Sequence, residues 1–278
     1  FGSGSHTLAD QNSFNLLYKG DYVYHNTGYY INFSGKHNLL SYRHTRAHNS
    51  ILVNGIGQPF STTGYGDVVR AMGGDHIAYC LGDASHAYNG ISEDDLWVDA
   101  FKKAGIAQTP EFGKTPLKKY RRHMLMLYPN ILVIYDELEA TEATRWDWLL
   151  HSDTKFTIDN TAHTLTTSNA TAGFVARTQL FSNDAMSLSQ TDQFFCDPDG
   201  GVTSKYKRQW HMTAQIPNSS STRVLAIVQV GANEDALLPI TQNGNVYTIG
   251  DWTIDASMAS ISTAALKITN STLPEVSF

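Results

Sequence analysis

The stretch Met124-Leu125-Met126-Leu127-Tyr128-Pro129-Asn130-Ile131-Leu132-Val133-Ile134-Tyr135 decides the fold. Two short apolar runs, with the branched and aromatic side chains that suit a pleated sheet, flank a Pro-Asn pair that favours a turn. The stretch therefore reads as a tight β-hairpin. Outward from it, comparable runs recur between turn signals at 14–18, 22–24, 51–53, 76–81, 223–230 and 246–249. Asn54-Gly55, Gly73-Gly74, Asp197-Pro198-Asp199-Gly200-Gly201 and Asn243-Gly244-Asn245 supply the punctuation. The pattern predicts an antiparallel, all-β architecture with few short helices. The clearest helical segment is 93–103, where acids precede Trp97 and Lys102-Lys103 close the run.

Composition sets the outer bounds. The chain has 278 residues, 41% hydrophobic and 17% charged, enough to bury a sizeable core and unlike a disordered or collagen-like sequence. Residues 155–175 alternate threonine with small residues and run on into Gly173-Phe174-Val175-Ala176, which reads as continued sheet. One domain over 1–278, a large two-sheet antiparallel β-sandwich, is the expectation. Twenty Lys and Arg against 26 Asp and Glu give a net charge of -6, so the bulk charge disfavours nucleic acid and any polyanion partner needs a local basic patch. No apolar run approaches the about 18 residues of a membrane-spanning helix. Cys80 and Cys196 lack metal or redox spacing; they either pair or stay as thiols. Phe1-Gly2-Ser3-Gly4-Ser5-His6 has neither an initiator methionine nor the character of a signal peptide, which suggests a piece of a longer chain.

Chemistry concentrates in the first sixty residues, where His6, His25, His37, His44 and His48 supply five of the eleven histidines. A metal site is one reading. Flanked by Tyr42, Ile51 and Val53, His44 and His48 read as strand residues, and four positions apart on a strand is roughly 13 Å, too far for one ion. Taken singly, each histidine reads rather as a surface or hydrogen-bonded structural group than as a ligand.

The stretches Gly4-Ser5-His6-Thr7-Leu8-Ala9-Asp10-Gln11-Asn12-Ser13-Phe14, Asn26-Thr27-Gly28-Tyr29 and Thr45-Arg46-Ala47-His48-Asn49-Ser50-Ile51-Leu52-Val53-Asn54-Gly55 resemble the heparinase II/III-like polysaccharide lyases. So do Gly82-Asp83-Ala84-Ser85-His86-Ala87-Tyr88, Tyr120-Arg121-Arg122-His123, Val133-Ile134-Tyr135-Asp136-Glu137-Leu138 and Trp148-Leu149-Leu150-His151-Ser152. The resemblance covers roughly the first 150 residues. It implies the β-sandwich region of a protein whose helical toroid lies N-terminal to this chain, a periplasmic or secreted, bacterial-type location, and β-elimination on an acidic polysaccharide such as a glycosaminoglycan or alginate. That reaction needs a base for the proton α to the uronate carboxylate, a group that offsets charge gathering on the carboxylate, and an acid for the departing oxygen.

Carried over position by position, the resemblance makes His6 the first histidine of a His-x-His-x-Asp motif and implies proton transfer or carboxylate neutralisation there. The motif's second histidine, a metal ligand in several members, is Leu8, and the later acidic ligand is Asn26. Only His48 keeps a ligand position, so the family's zinc is expected to be absent and no cofactor is implied. A catalytic tyrosine in a Gly-basic-Tyr context falls at Gly35-Lys36-His37, which puts His37 in its place, with Tyr30 and Tyr42 as alternatives. Arg43, His44, Arg46 and Asn12 are the candidate substrate contacts, since Arg43, Arg46 and Lys36 among the histidines can form a cationic cleft on an overall acidic protein. The basic run Lys118-Lys119-Tyr120-Arg121-Arg122-His123 reads either as glycan-facing or as a charged edge strand. Asp94-Asp95 reads as a helix N-terminus and Asp136-Glu137 as a strand-end turn. Trp146 and Trp148 fit a core strand. A noncatalytic carbohydrate-binding or structural sandwich is the alternative function. A cupin-like metal enzyme is a third.

Overall fold

The computed structural model describes residues 6–278. Strands dominate it, in chain order β1 (Leu16–Tyr18), β2 (Asp21–Tyr24), β3 (Ile51–Val53), β4 (Tyr65–Gly73), β5 (Ile77–His86), β6 (Asn89–Gly90) and β7 (Gly113–Lys114). Then come β8 (Leu117–Leu127), β9 (Ile131–Ser152), β10 (Thr157–Asp159), β11 (Thr164–Asn169), β12 (Phe174–Phe181), β13 (Ser187–Thr191) and β14 (Trp210–Gly231). The chain closes with β15 (Ile240–Asn243), β16 (Val246–Ile249), β17 (Trp252–Ala256), β18 (Leu266–Asn270) and β19 (Leu273–Ser277).

The hairpin read at Pro129-Asn130 joins β8 to β9, with Leu127 opposite Ile131. It sits inside a ten-stranded antiparallel sheet ordered β10-β11-β12-β14-β9-β8-β5-β4, to which β13 adds on β14 and β3 on β9. The threonine-rich segment forms β10 and β11 of that sheet, as its alternation requires. β9 and β14 pair along two stretches, Ile131–Glu139 and Trp146–Ser152 on the β9 side, interrupted by register shifts between Ile216 and Ser221. The first stretch carries β8 and β12 and the second carries β3 and β13.

The period-2 alternation of these long strands builds two cores. Ile131, Val133 and Tyr135 with Leu225 and Ile227 face Tyr247, Ile249, Ile254, Leu266 and Ile268 of a five-stranded sheet, β15-β16-β17-β18-β19. The intervening Ile134, Leu138, Val224, Ala226 and Val228 face the opposite way, in a core that continues through Trp146, Trp148 and Leu150. Full burial of side chains of this size stabilises by about 1.5–3 kcal/mol each, so the two packed sheets of the expected sandwich hold one another.

A helix, α1 (Asp95–Ala104), forms where the acids and lysines place it. Asp94 is its N-cap residue, Asp95 lies in the first turn, Lys102 and Lys103 lie in the last, and Gly105 ends it with a left-handed φ of 66°. Trp97, Ala100 and Phe101 lie three and four apart on one face and pack on Leu39, Leu40, Phe60 and Phe112. This third cluster packs the N-terminal segment, through Ala9, Leu39 and Leu40, against α1 and the loops bearing Phe60 and Phe112.

Three local readings are corrected. His44 and His48 do not lie on a strand: Asn38–Tyr42 forms a π-helical turn and Thr45–Ala47 a 3-10 turn, the latter capped by the His44 side chain, which accepts from the Arg46 backbone N–H. The basic run is not an edge strand, since β8 lies between β5 and β9. Asp136 and Glu137 are not a strand-end turn; they sit within β9 and meet that basic run. Arg122 and Asp136 form a fully buried pair through two hydrogen bonds of 2.7 and 2.8 Å, while Lys119 meets Glu139 at 2.5 Å and Arg121 meets Asp83 at 2.8 Å. Most of the charge that suggested a glycan-facing strip is thus neutralised internally.

Candidate functional site

Arg43 organises the N-terminal segment. It is buried, and its guanidinium donates through Nη1 to the Thr7 carbonyl at 2.6 Å and through Nε to Asn38 Oδ1 at 3.2 Å. Its planar cation lies 5.5 Å from the Tyr30 ring, 5.6 Å from Phe33 and 5.3 Å from Trp97, distances suited to cation–π attraction. Tyr30 and Tyr42 lie beside each other with ring centres 6.3 Å apart. Tyr30 is 54% exposed and His6, one residue from the anchored Thr7, is exposed as well. Tyr30 and Tyr42 are therefore gathered at Arg43, and the segment bearing His6 is tied to it.

His37 is elsewhere. It is buried, its Nδ1 donates to the Cys196 carbonyl at 2.6 Å, and its Nε2 accepts from the Tyr29 backbone N–H at 3.0 Å. Both ring nitrogens are used by backbone, and burial pulls its pKa below the ordinary histidine value. His44 is likewise enclosed: Nδ1 accepts from the backbone and Nε of Arg46, Nε2 lies 3.2 Å from the Glu111 carbonyl, and burial drives its pKa well down. Arg46 pairs with Glu111 and lies over the Phe195 ring at 3.7 Å. Asn12, at a left-handed φ of 59°, gives its amide to the Gly82 and Tyr120 carbonyls and its own carbonyl to Arg122. The implied site set therefore divides into an exposed group at Arg43 and a buried group that shapes the backbone around it.

Zinc at the ligand positions Leu8, Asn26 and His48 would need a lone pair from each. His48 is buried, burial lowers its pKa to about 4, and its Nε2 meets no hydrogen-bond partner among the described residues. Leu8 brings no lone pair and Asn26 brings no carboxylate, so the residues at these positions do not fit the ion. Among the described residues no three His, Cys, Asp or Glu side chains group as a metal site. Cys80 and Cys196 are both free thiols.

Residues 2–205 match the family model described as "Heparinase II/III-like, C-terminal". The chain belongs to the heparinase II/III-like family. Among solved structures, a heparinase III gene product with methylated lysines superposes with a TM-score of 0.65 at 11% identity, covering 100% of this chain and 37% of that one. A heparan sulfate lyase HepC mutant from Pedobacter heparinus gives 0.63 at 15% identity, covering 98% and 37%. A further heparinase III gives 0.62 at 14% identity, covering 98% and 36%. At such identities the likeness establishes a shared fold. This heparinase II/III-like chain spans about 37% of the length of the solved proteins it matches. No curated protein sequence matches it. Among the described residues, no helix is long and apolar enough to cross a membrane.

The fold brings two further histidines, to which the sequence assigned no role, into this region. His151 on β9 and His211 on β14 meet edge to face with ring centres 5.1 Å apart, and His151 Nε2 lies 2.8 Å from the Arg46 carbonyl. His151 falls in a stretch that carries the family resemblance but implied no role there, and His211 gave no local signal; the pairing of His211 opposite His151 unites them.

Proposed function

We propose that this chain is the β-sandwich part of a polysaccharide lyase that cleaves uronic-acid-containing polysaccharides, of glycosaminoglycan or alginate type, by β-elimination. The proposal extends to an N-terminal helical toroid in the same protein, a periplasmic or secreted location, a single sandwich domain over 1–278, and chemistry without a metal step. One observation carries it: His6, at the family's motif position, is exposed and adjoins a backbone carbonyl held by Arg43.

In this reading the base takes the proton α to the uronate carboxylate, the released electron pair becomes the α,β double bond, and the bond from the β carbon to the glycosidic oxygen breaks. An acid returns a proton to that oxygen. His6 serves as the proton carrier or as the partner of the carboxylate. Tyr30 and Tyr42, placed together at Arg43, are the phenols available for proton return. His37 holds the Tyr29 and Cys196 backbones and acts as a positioning residue. Incubating the full-length protein with heparan sulfate, chondroitin sulfate, hyaluronan and alginate tests the reading. Unsaturated, ultraviolet-absorbing chain ends support the lyase; binding without such ends supports the noncatalytic carbohydrate-binding sandwich.

A further inference from the structure

A cavity of about 390 Å³ opens where the second stretch of β9 and β14 is covered by the loop after β13. His6, Tyr30 and Tyr42 are not among the residues that line it. Its walls combine Phe195, the Arg46–Glu111 pair, the Arg145–Asp147 pair and His211. The size suits one or two sugar rings, and the mixture of aromatic surface with planar polar groups offers both faces and edges to a polyhydroxylated ring.

Two side chains lining this cavity keep capacity that the protein does not use, and a third, His211, holds a buried nitrogen without a partner among the described residues. Phe195 carries the Arg46 guanidinium over its ring yet is 55% exposed, an uncommon state for a phenylalanine beside a cavity. Arg145 directs Nε and Nη2 to Asp147 Oδ2 at 3.1 Å, and its side chain is 42% exposed. Its other N–H groups meet no acceptor among the described residues, and a guanidinium fork is suited to a carboxylate. His211 Nδ1 lies 3.3 Å from the Thr27 hydroxyl, which itself donates to the Ala47 carbonyl, so Nδ1 carries the proton and Nε2 a lone pair. That Nε2 has no partner among the described residues.

We propose that this cavity is a carbohydrate subsite that takes a uronate ring, stacked on Phe195 with its carboxylate on Arg145. The two acids keep the pocket nearly neutral, so a single carboxylate on the ligand meets one free guanidinium edge and not a strongly cationic cleft. The choice of a uronate over a neutral sugar rests on the lyase reading.

The test is binding of tetrasaccharides cut from heparan sulfate and from alginate, with cellotetraose as the neutral probe. The full-length protein carrying His6→Ala is used so that the probe is not consumed. The expected result is that one acidic tetrasaccharide binds more tightly than cellotetraose, and that Phe195→Ala and Arg145→Gln each weaken it fivefold or more. Both side chains are substantially exposed, so these variants keep the fold. No binding, equal affinity for cellotetraose, or a loss smaller than fivefold in either variant overturns the subsite. Product formation by the unsubstituted protein is read separately. Binding through Phe195 and Arg145 without unsaturated ends removes the lyase reading alone, and cleavage with an unaltered dissociation constant removes the subsite alone.

Discussion

Arg43 and the segment bearing His6 bond reciprocally: the Arg43 guanidinium donates to the Thr7 carbonyl at 2.6 Å, and the Ala9 N–H donates to the Arg43 carbonyl at 3.0 Å. In the proposed lyase reading a catalytic group displaced by about 1 Å loses much of its effect, so Arg43 would set how well His6 acts. Arg43→Ala is expected to lower the elimination rate at least tenfold and to destabilise the fold by about 3 kcal/mol through lost charged hydrogen bonds. Arg43→Lys retains the charge but not the fork and should fall between. Steady-state rates with urea denaturation check this; an unchanged rate in a folded Arg43→Ala protein contradicts it.

The Arg122–Asp136 pair should dominate the stability of the central strands. Asp136 accepts from Arg122 twice and from Trp148 Nε1 at 2.8 Å, with no exposure at either partner's side chain. Removing one side leaves a buried charge uncompensated, so Asp136→Ala is expected to cost about 3–5 kcal/mol. The denaturant midpoint reports it, and a loss below about 1 kcal/mol would show that the site is better hydrated than its burial indicates.

Acid should unfold this protein through its histidines. Burial lowers the His211 pKa to about 4 and drives His44 and His151 well down, whereas the unfolded chain takes up these protons near about pH 6.5. Below that pH the unfolded state binds more protons, so stability is complete above about pH 6.5 and falls toward pH 4. His211 alone accounts for on the order of 3 kcal/mol at full protonation. Denaturation curves collected across this window should show the decline, and His211→Gln should make it shallower; a flat profile for the parent protein refutes the assignment.

Asp10 acts in the opposite sense. Burial pushes its pKa up to about 6, so the folded state holds the extra proton between the unfolded value near about 3.9 and 6, and stability is lost as pH rises through that range. Asp10→Asn removes the buried charge and should raise stability at pH 7.5 by about 1–2 kcal/mol, read as a higher melting temperature. A lower melting temperature for Asp10→Asn would show that its carboxylate has a stabilising partner.

Much of this molecule was legible because strand periodicity and turn chemistry are local. The Pro129-Asn130 hairpin is the clearest case, and its register contained more than was drawn from it. With Leu127 opposite Ile131, Arg122 falls opposite Asp136, which sets the basic run against the acids of β9; that the run is interior depends on β5 pairing along its other side, which the hairpin does not reveal. The turns at 38–48 were not legible. A short run such as Leu39-Leu40-Ser41-Tyr42 reads alike as helix or strand, and what decides it is contact with distant groups, including the Cys196 carbonyl that takes Ser41 Oγ and His37 Nδ1. For the same reason the motif position of His37 carried no information about its enclosure. Exposure of His6 and Tyr30 against burial of His37 and His44 is set by packing across the chain.

The most direct measurement of the lyase reading is the rate at which full-length protein and its His6→Ala variant form unsaturated chain ends. It is made on whichever of heparan sulfate, chondroitin sulfate, hyaluronan or alginate is cut fastest. The prediction is product from the parent protein and at least a hundredfold lower rate from a folded His6→Ala variant, in the range that loss of a general acid or base produces. An unchanged rate in that variant, or no product from any of the four polysaccharides, would contradict it.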